Sequence, residues 1–189
     1  MFCDPDMSDR INSYALVSYI PGRLGDFITS LRQDLVAGCV AQSHVSILPP
    51  RPLQIDAQDA AEEIRAGITN FTSFELELPR IRVFEQTSVV FCEIGRGRDE
   101  LFEMHEAMNK GGLAFREPFK YYPHITLAQG IPPEQLSEVY ERAIAIWEKS
   151  APSTRVTIES VTFVQNTVDN IWIDLVDCEL RGLAALPVG

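Results

Sequence analysis

Two short segments of the sequence carry a histidine two residues before a hydroxyl side chain. In "HVSIL" His44 precedes Ser46, and in "PHITLAQ" His124 precedes Thr126. Both segments are otherwise apolar and bounded by turn-forming residues, so each predicts a short strand. Because side chains alternate between the faces of a strand, the histidine and the hydroxyl share one face and the apolar residues occupy the other.

Two such strands facing each other would suit phosphodiester chemistry. A neutral imidazole can take a proton from an attacking hydroxyl or water, and a protonated imidazole can give one to the departing oxygen. An unperturbed histidine pKa of about 6.5 allows one histidine in each state near neutral pH. We therefore predict His44 and His124 as catalytic residues and Ser46 and Thr126 as phosphate-binding residues. This chemistry needs no metal or other cofactor.

Two other hypotheses stay open from the sequence alone. One histidine–hydroxyl pair in a strand is most often a satisfied, partly buried polar pair, so both histidines could lie buried in separate cores. The same cleft could also hold a nucleotide without turning it over, as a binding module. The enzyme hypothesis is favoured because the pattern occurs twice, at equivalent places of a repeat, in a chain with three histidines.

The elements that position these segments recur in the same order in two halves. Residues 13–86 and 88–180 each predict a strand, a helix, a histidine strand, a second helix and two further strands. The predicted fold class is α+β, with two pseudo-symmetric lobes of antiparallel sheet flanked by helices around a central cleft. We predict one two-lobed domain over residues 1–189, with tails at 1–12 and 181–189. Which strands pair is left open, since symmetric halves can exchange strands.

Two boundaries follow from the same patterns. Pro49 and Pro50 are expected to end the first histidine strand, because proline cannot donate to a sheet ladder. The segment "TRVTIESVTFVQNT" is expected to form one long strand near the carboxyl end.

The two motifs resemble those of the two-histidine phosphoesterase superfamily, which includes 2′-5′ RNA ligases and cyclic nucleotide phosphodiesterases. They are 80 residues apart (124 − 44), and the element order matches from about Ser13 to Leu180. The resemblance implies metal-independent chemistry on 2′,3′-cyclic phosphates or 2′-5′ linkages. It implies His44 as general acid and His124 as base, an assignment that pseudo-symmetry allows to be reversed. Where RNA-ligase members carry a Phe-Leu-Gly-like stretch, this chain has "LPPRPL", which indicates a substrate other than tRNA halves.

Composition narrows the class of partner. The net charge of −11 and the absence of a Lys/Arg cluster disfavour tight binding of long nucleic acid. A nucleotide or a short RNA end with a cyclic or 2′-5′ phosphate needs only a few local cations. The sequence has no run of about 18 apolar residues, so no membrane span is predicted. Its scattered cysteines predict a reducing, cytoplasmic setting, and we expect a monomer.

Four residues near the motifs are candidate substrate contacts. Arg51 follows the double proline, Lys120 precedes the second motif, and Tyr121 and Tyr122 flank it, where a ring could stack on a base. Tyr19 and Phe119 are weaker candidates for stacking. His105 falls beside the apolar stripe of a predicted helix, where we expect a solvated or edge position. The histidine spacing matches no metal-binding motif.

Overall fold

Strands and helices follow one another along the chain in nearly the predicted order. The computed structural model describes residues 9–182. The strands are β1 Arg10–Tyr19, β2 His44–Arg51, β3 Phe74–Glu77, β4 Ile81–Phe84, β5 Val89–Glu93, β6 His124–Ala128, β7 Arg155–Ile158, β8 Ser160–Thr167 and β9 Trp172–Glu179. The helices are α1 Gly22–Leu35, α2 Ala57–Ile68, α3 Arg98–Met108 and α4 Leu136–Ser150.

The strands form antiparallel sheets in two lobes. The first sheet has the order β2-β1-β8-β9. In the second lobe β4-β5-β6 form one sheet and β3-β7 a pair. Pro79 interrupts the second set, but backbone bonds from Glu77 to Arg96 and from Gly95 to Glu77 carry β3 along the continuation of β5. The second lobe therefore has the order β6, β5, β4 with β3, then β7, which matches the order β2-β1-β8-β9 of the first lobe. The α+β prediction is confirmed.

The two halves of the sequence exchange strands. Strands β8 and β9, from the second half, complete the sheet that holds β1 and β2. Strands β3 and β4, from the first half, pair with β7 and β5. Each histidine strand keeps its partner from its own half, since β2 pairs with β1 and β6 with β5. The lobes are thus assembled from both halves of the chain.

The helices cover one face of the sheets and leave the other face to the cleft. The α1 stripe of Leu24, Ile28 and Leu31 is buried, as its spacing predicts. Asp56 caps α2 by accepting bonds from the backbone N–H groups of Gln58 and Asp59. Residues from all four helices join one apolar core with the inward-facing residues of the strands.

Two sequence-based strand boundaries are wrong. Strand β2 continues through Pro49 and Pro50 to Arg51, which is tolerated because β2 lies at a sheet edge and its pairing with β1 is irregular there. The expected long strand breaks at Glu159 into β7 and β8, which belong to different sheets.

Both expected tails are too long as well. Residues 10–12 already belong to β1, and the Arg181 N–H donates to the Phe71 carbonyl. The remainder of each expected tail, residues 1–8 and 183–189, lies outside the described residues.

Candidate active site

His44 and His124 each open an edge strand of their sheet. Strand β2 ends the order β2-β1-β8-β9, and β6 ends β4-β5-β6. In both strands the histidine and the hydroxyl two residues later are half-buried, while the apolar residues between and after them are buried. The predicted alternation is therefore present in both copies, with an imidazole and a hydroxyl on the open face of each strand.

Two side chains from outside β2 and β6 hydrogen-bond to the backbone of these strands. The Tyr121 hydroxyl, just before β6, donates to the Ser46 carbonyl of β2 at 2.9 Å. Arg32 of α1 donates from Nη1 to the Thr126 carbonyl of β6 at 2.6 Å. The charge of His124 also bears on the pKa of His44. The half-buried histidines thus belong to one neighbourhood rather than to separate cores.

Both imidazoles are oriented by the same local contact. The Nδ1 atom of His44 lies 2.8 Å from the Gln42 carbonyl, and that of His124 lies 2.7 Å from the Tyr122 carbonyl. A carbonyl oxygen can only accept, so Nδ1 carries the proton in each ring. Nε2 is then the basic nitrogen of the neutral imidazole. The two copies present the same tautomer as well as the same residues.

Burial shifts both histidines toward the neutral form. It lowers the pKa of His44 to about 4; the bond to the Gln42 carbonyl opposes this, and the charges of Arg32 and His124 add to it. Burial also lowers the pKa of His124, against the bond to the Tyr122 carbonyl. Both imidazoles are therefore neutral near pH 7 in the free protein. This differs from the sequence-based expectation of one histidine in each state, because that expectation used unperturbed values.

Arg32 is a buried cation between the two histidine strands, and it lies outside both sequence motifs. Its side chain is on the buried face of α1, and its Nε has no hydrogen-bond partner within the described part of the chain. No carboxylate in residues 9–182 forms an ion pair with it. An uncompensated buried charge is costly, so this position favours an incoming anion. Its placement four residues after Ile28, in the apolar stripe of α1, was the signal available in the sequence.

The surroundings of the two histidines differ. Beside His44, the Tyr19 ring lies edge-on with centroids 6.4 Å apart, and the Tyr19 hydroxyl donates to Asp174 at 2.6 Å. Burial and this carboxylate raise the pKa of Tyr19. Beside His124, the rings of Phe84 and Phe91 lie at 5.1 and 5.3 Å. The first imidazole thus has a polar, acidic neighbour and the second an aromatic wall.

A polar groove of about 310 Å³ borders the His44 end of the site. It lies between the start of α1 and the segment that leads into β2, and Tyr19 and Gln42 line it on the side of His44. Asp26, Thr29 and Ser30 of α1 form its opposite wall. Carboxyl, amide and hydroxyl groups therefore dominate this end of the site.

Arg51 does not serve as the predicted phosphate contact. It is 2% exposed, and four of its N–H donors bond to Pro49, Asn109, Leu113 and Glu117. Arg51 of the "LPPRPL" segment thus holds the loop that leads to the second motif.

The remaining predicted contacts separate into different positions. Tyr121 turns away from the open face and stacks on His105 at 3.8 Å. His105 is buried, not solvated, with Nδ1 against the Ile47 carbonyl at 2.8 Å. Tyr122 stays beside the site, because its ring contacts Phe84 and Phe91 next to His124. Lys120 is exposed on the loop before the second motif.

Three general observations bound the chemistry of the described residues. Within residues 9–182, no group of three or more His, Cys, Asp or Glu side chains is arranged to hold a metal ion. No helix in that range is both long and apolar enough to cross a membrane. Cys39, Cys92 and Cys178 are unpaired, and Cys3 lies outside the described residues.

Comparison with known proteins decides the family. The model of the 2′-5′ RNA ligase superfamily matches residues 21–170. The chain belongs to the 2′-5′ RNA ligase superfamily. This superfamily comprises enzymes of the phosphoesterase and RNA-ligase type, and both histidine strands fall inside the matched range.

Individual relatives agree with the superfamily assignment. The curated protein named "Putative phosphoesterase GK0864", from Geobacillus kaustophilus (strain HTA426), is 25% identical over 137 residues, which cover 68% of this chain and 76% of that protein. A solved phosphoesterase structure superposes with a TM-score of 0.63 at 16% identity, over 90% of this chain and 99% of its own. E. coli LigT complexed with 3′-AMP gives a TM-score of 0.62 at 16% identity, over 91% and 98%. The two structural likenesses confirm the fold.

Proposed function

We propose that this superfamily member is a phosphodiesterase that opens 2′,3′-cyclic phosphates or cleaves 2′-5′ phosphodiester bonds. The observation that carries the proposal is the doubled arrangement itself. Two edge strands each present an imidazole, whose Nε2 has no hydrogen-bond partner among residues 9–182, and a hydroxyl two residues away. E. coli LigT has been solved with 3′-AMP and with phosphate, which supports a small nucleotide as the class of ligand for the present site.

The reaction needs two proton transfers. One neutral imidazole takes a proton through Nε2 from water as the water oxygen attacks phosphorus. The other imidazole, protonated, gives its Nε2 proton to the departing ribose oxygen as that P–O bond breaks. Ser46 and Thr126 donate hydrogen bonds to the non-bridging oxygens. In ligation an RNA 5′-hydroxyl replaces the water, with the same transfers.

Substrate binding promotes uptake of the missing proton from solvent. Because both imidazoles are neutral in the free protein near pH 7, one of them must gain a proton before it acts as the acid. A phosphate anion beside an imidazole favours its charged form and raises its pKa. Arg32 contributes the charge that draws the anion between the strands. The resemblance assigns the acid to His44 and the base to His124.

The test is hydrolysis of nucleoside 2′,3′-cyclic phosphates and 2′-5′ dinucleotides by purified protein, with EDTA present. We expect turnover that is insensitive to EDTA and lost in the His44→Ala/His124→Ala double variant. Full activity of that variant would overturn the proposal. Tight binding of AMP or CMP without turnover of any of these substrates would instead establish the binding module. The unpaired Cys39, Cys92 and Cys178 support a reducing, cytoplasmic setting for the enzyme.

A further inference from the structure

Two rows of side chains cross the cleft face of the second lobe from β6 to β4. His124 lies opposite Glu93 of β5, and the backbone N–H of Glu93 bonds to the carbonyl of Arg80, which continues the row. Thr126 lies opposite Phe91, which lies opposite Arg82. Since cross-strand partners point to the same face, both arginines share the face of the catalytic pair, two strands or about 10 Å from β6.

The side chains of Arg80 and Arg82 extend toward Glu93 of β5, the residue opposite His124. The Nε atom of Arg80 bonds to Glu93 at 2.5 Å, and Arg82 lies 3.8 Å from the same carboxylate. Glu93 is nearly buried, whereas the arginine side chains are 62% and 50% exposed. The Glu93 carboxylate on β5 therefore holds the guanidinium groups of Arg80 and Arg82 beside the strand that neighbours β6. Both guanidinium groups remain accessible to solvent.

A third arginine joins the group from α3. The Arg98 guanidinium lies 4.7 Å from the centroid of the Tyr122 ring, and the Tyr122 hydroxyl donates to Glu93 at 3.3 Å. Arg80 and Arg82 contact the Glu93 carboxylate, and Arg98 contacts the Tyr122 ring whose hydroxyl bonds to that carboxylate. These three arginines, which we call the arginine cluster, carry a net charge of +2 together with Glu93. This is a local exception in a chain whose net charge is −11.

The equivalent positions of the first lobe have the opposite character. Tyr19 lies opposite His44, as Glu93 lies opposite His124, and its hydroxyl bonds to Asp174. Val17 lies opposite Ser46 and pairs with Thr162, whose hydroxyl donates to Asp177. On the His44 side, side chains of the matching rows thus bond to carboxylates, whereas on the His124 side the rows end in guanidinium groups. An anionic substrate group is favoured on the second side only.

We propose that the arginine cluster is a second anion subsite, which binds a further phosphate of the substrate on the His124 side of the cleft. The inference rests on the proposed function for the position of the reacting phosphate. It narrows the substrate class to cyclic-phosphate or 2′-5′ nucleotides that carry at least one additional phosphate, such as the upstream phosphodiester of a short RNA end. A substrate with a single phosphate leaves the cluster unused.

The experiment compares two substrates that differ by one phosphate. They are adenosine 2′,3′-cyclic phosphate and its 5′-phosphorylated form, each assayed with the wild type and the Arg80→Gln/Arg82→Gln variant. We expect the wild type to favour the 5′-phosphorylated substrate in kcat/KM. We expect the ratio of the two kcat/KM values to fall about 10- to 100-fold in the variant, because charge-assisted hydrogen bonds to the added phosphate are lost. An unchanged ratio would overturn the proposal.

The control removes a positive charge elsewhere on the same lobe. Arg142 is exposed on α4, which packs on the helix-covered face of this lobe and not on the cleft face. Arg142→Gln should leave the ratio at its wild-type value. If it lowers the ratio as much as the double variant does, the effect is one of net charge and the subsite is refuted. Thermal unfolding of each variant checks that the exposed substitutions leave the fold intact.

A binding measurement separates the subsite from the chemistry. Calorimetry with adenosine 2′-phosphate and adenosine 2′,5′-bisphosphate needs no turnover. We expect the bisphosphate to bind more tightly to the wild type, and the double variant to lose most of that advantage. If no substrate is turned over but this difference holds, the subsite stands and the proposed reaction fails. If turnover occurs and both ligands bind equally well, the reaction stands and the subsite fails.

Discussion

The two lobes share their chemical groups and differ in what surrounds them. Each opens an edge strand with a histidine whose Nδ1 bonds to the carbonyl two residues earlier, and each places a hydroxyl two residues later. The next strand then carries Tyr19 in one lobe and Glu93 in the other. The histidine–hydroxyl pair is therefore common to both lobes, whereas the neighbouring strands make the two sides of the cleft chemically different.

The largest effect should come from removing either half of the shared pair. His44→Ala and His124→Ala should each lower kcat by about 10²–10⁴-fold, since each removes one proton transfer. The double variant should lose much less than the product of the two, because the pair acts as a unit. Steady-state kinetics on a cyclic phosphate checks this. His105→Gln is the control histidine variant, and it should affect thermal stability more than kcat. Retention of wild-type kcat by either single alanine variant would show that the two histidines do not have equivalent roles in catalysis.

The depressed pKa of His44 should couple folding to pH. The folded protein holds the pKa of His44 at about 4, below the unfolded value of 6.5. The unfolded state then binds more protons between these values, so stability falls as the pH drops from about 6.5 to 4. This shift corresponds to about 3 kcal/mol. Urea unfolding at pH 7 and pH 4 should show a smaller loss for His44→Gln than for the wild type. An equal loss would show that His44 is not desolvated in the folded state.

The buried charge of Arg32 should affect both substrate binding and the pKa of His44. Arg32→Met should lower kcat/KM by about 10- to 100-fold, because the buried cation that favours phosphate is gone. It should also raise the pKa of His44, which the charge of Arg32 lowers. NMR titration of the His44 ring measures the second effect, and Arg32→Lys is the matched control that keeps the charge. Loss of activity with no change in the pKa of His44 would reduce Arg32 to a purely structural role.

The smallest predicted effect concerns Glu93 and Tyr19, which lie opposite His124 and His44 on the neighbouring strands. Glu93→Gln removes the anion that holds Arg80 and Arg82, so the affinity for adenosine 2′,5′-bisphosphate should rise by about 2- to 5-fold, the value of an exposed ion pair. Tyr19→Phe, at the equivalent position of the other lobe, should leave the relative affinity for the two adenosine phosphates unchanged. Calorimetry with both ligands separates these outcomes. A rise with Tyr19→Phe would contradict the assigned direction of the cleft.

The sequence was sufficient to predict the parts of the molecule that depend on periodicity. Alternation in "HVSIL" and "PHITLAQ" predicted which side chains are open, and helical spacing predicted the buried stripe of α1. It could not predict that β8 completes the sheet of β1, because either half offers strands of similar pattern. It also misplaced Arg51, whose burial depends on Glu117 and Asn109, more than 50 residues away.

The arginine cluster was hidden for a related reason. Arg80, Arg82 and Phe84 are spaced two residues apart in the sequence. This spacing predicts that they share one face of a strand, but not which face of which sheet. Only the pairing of β4 with β5 and of β5 with β6 brings them to the rows of His124 and Thr126. Likewise, the depressed pKa values depend on tertiary burial, which residue spacing does not contain.

The central claim is that His44 and His124 act on one phosphate. The most direct test is an NMR titration of all three histidine rings across pH 4–8, without and with adenosine 2′-phosphate. We expect the pKa values of His44 and His124 both to rise on binding, with the same dissociation constant. A ligand that moves only one of the two rings, or moves them at different concentrations, would contradict a shared phosphate site.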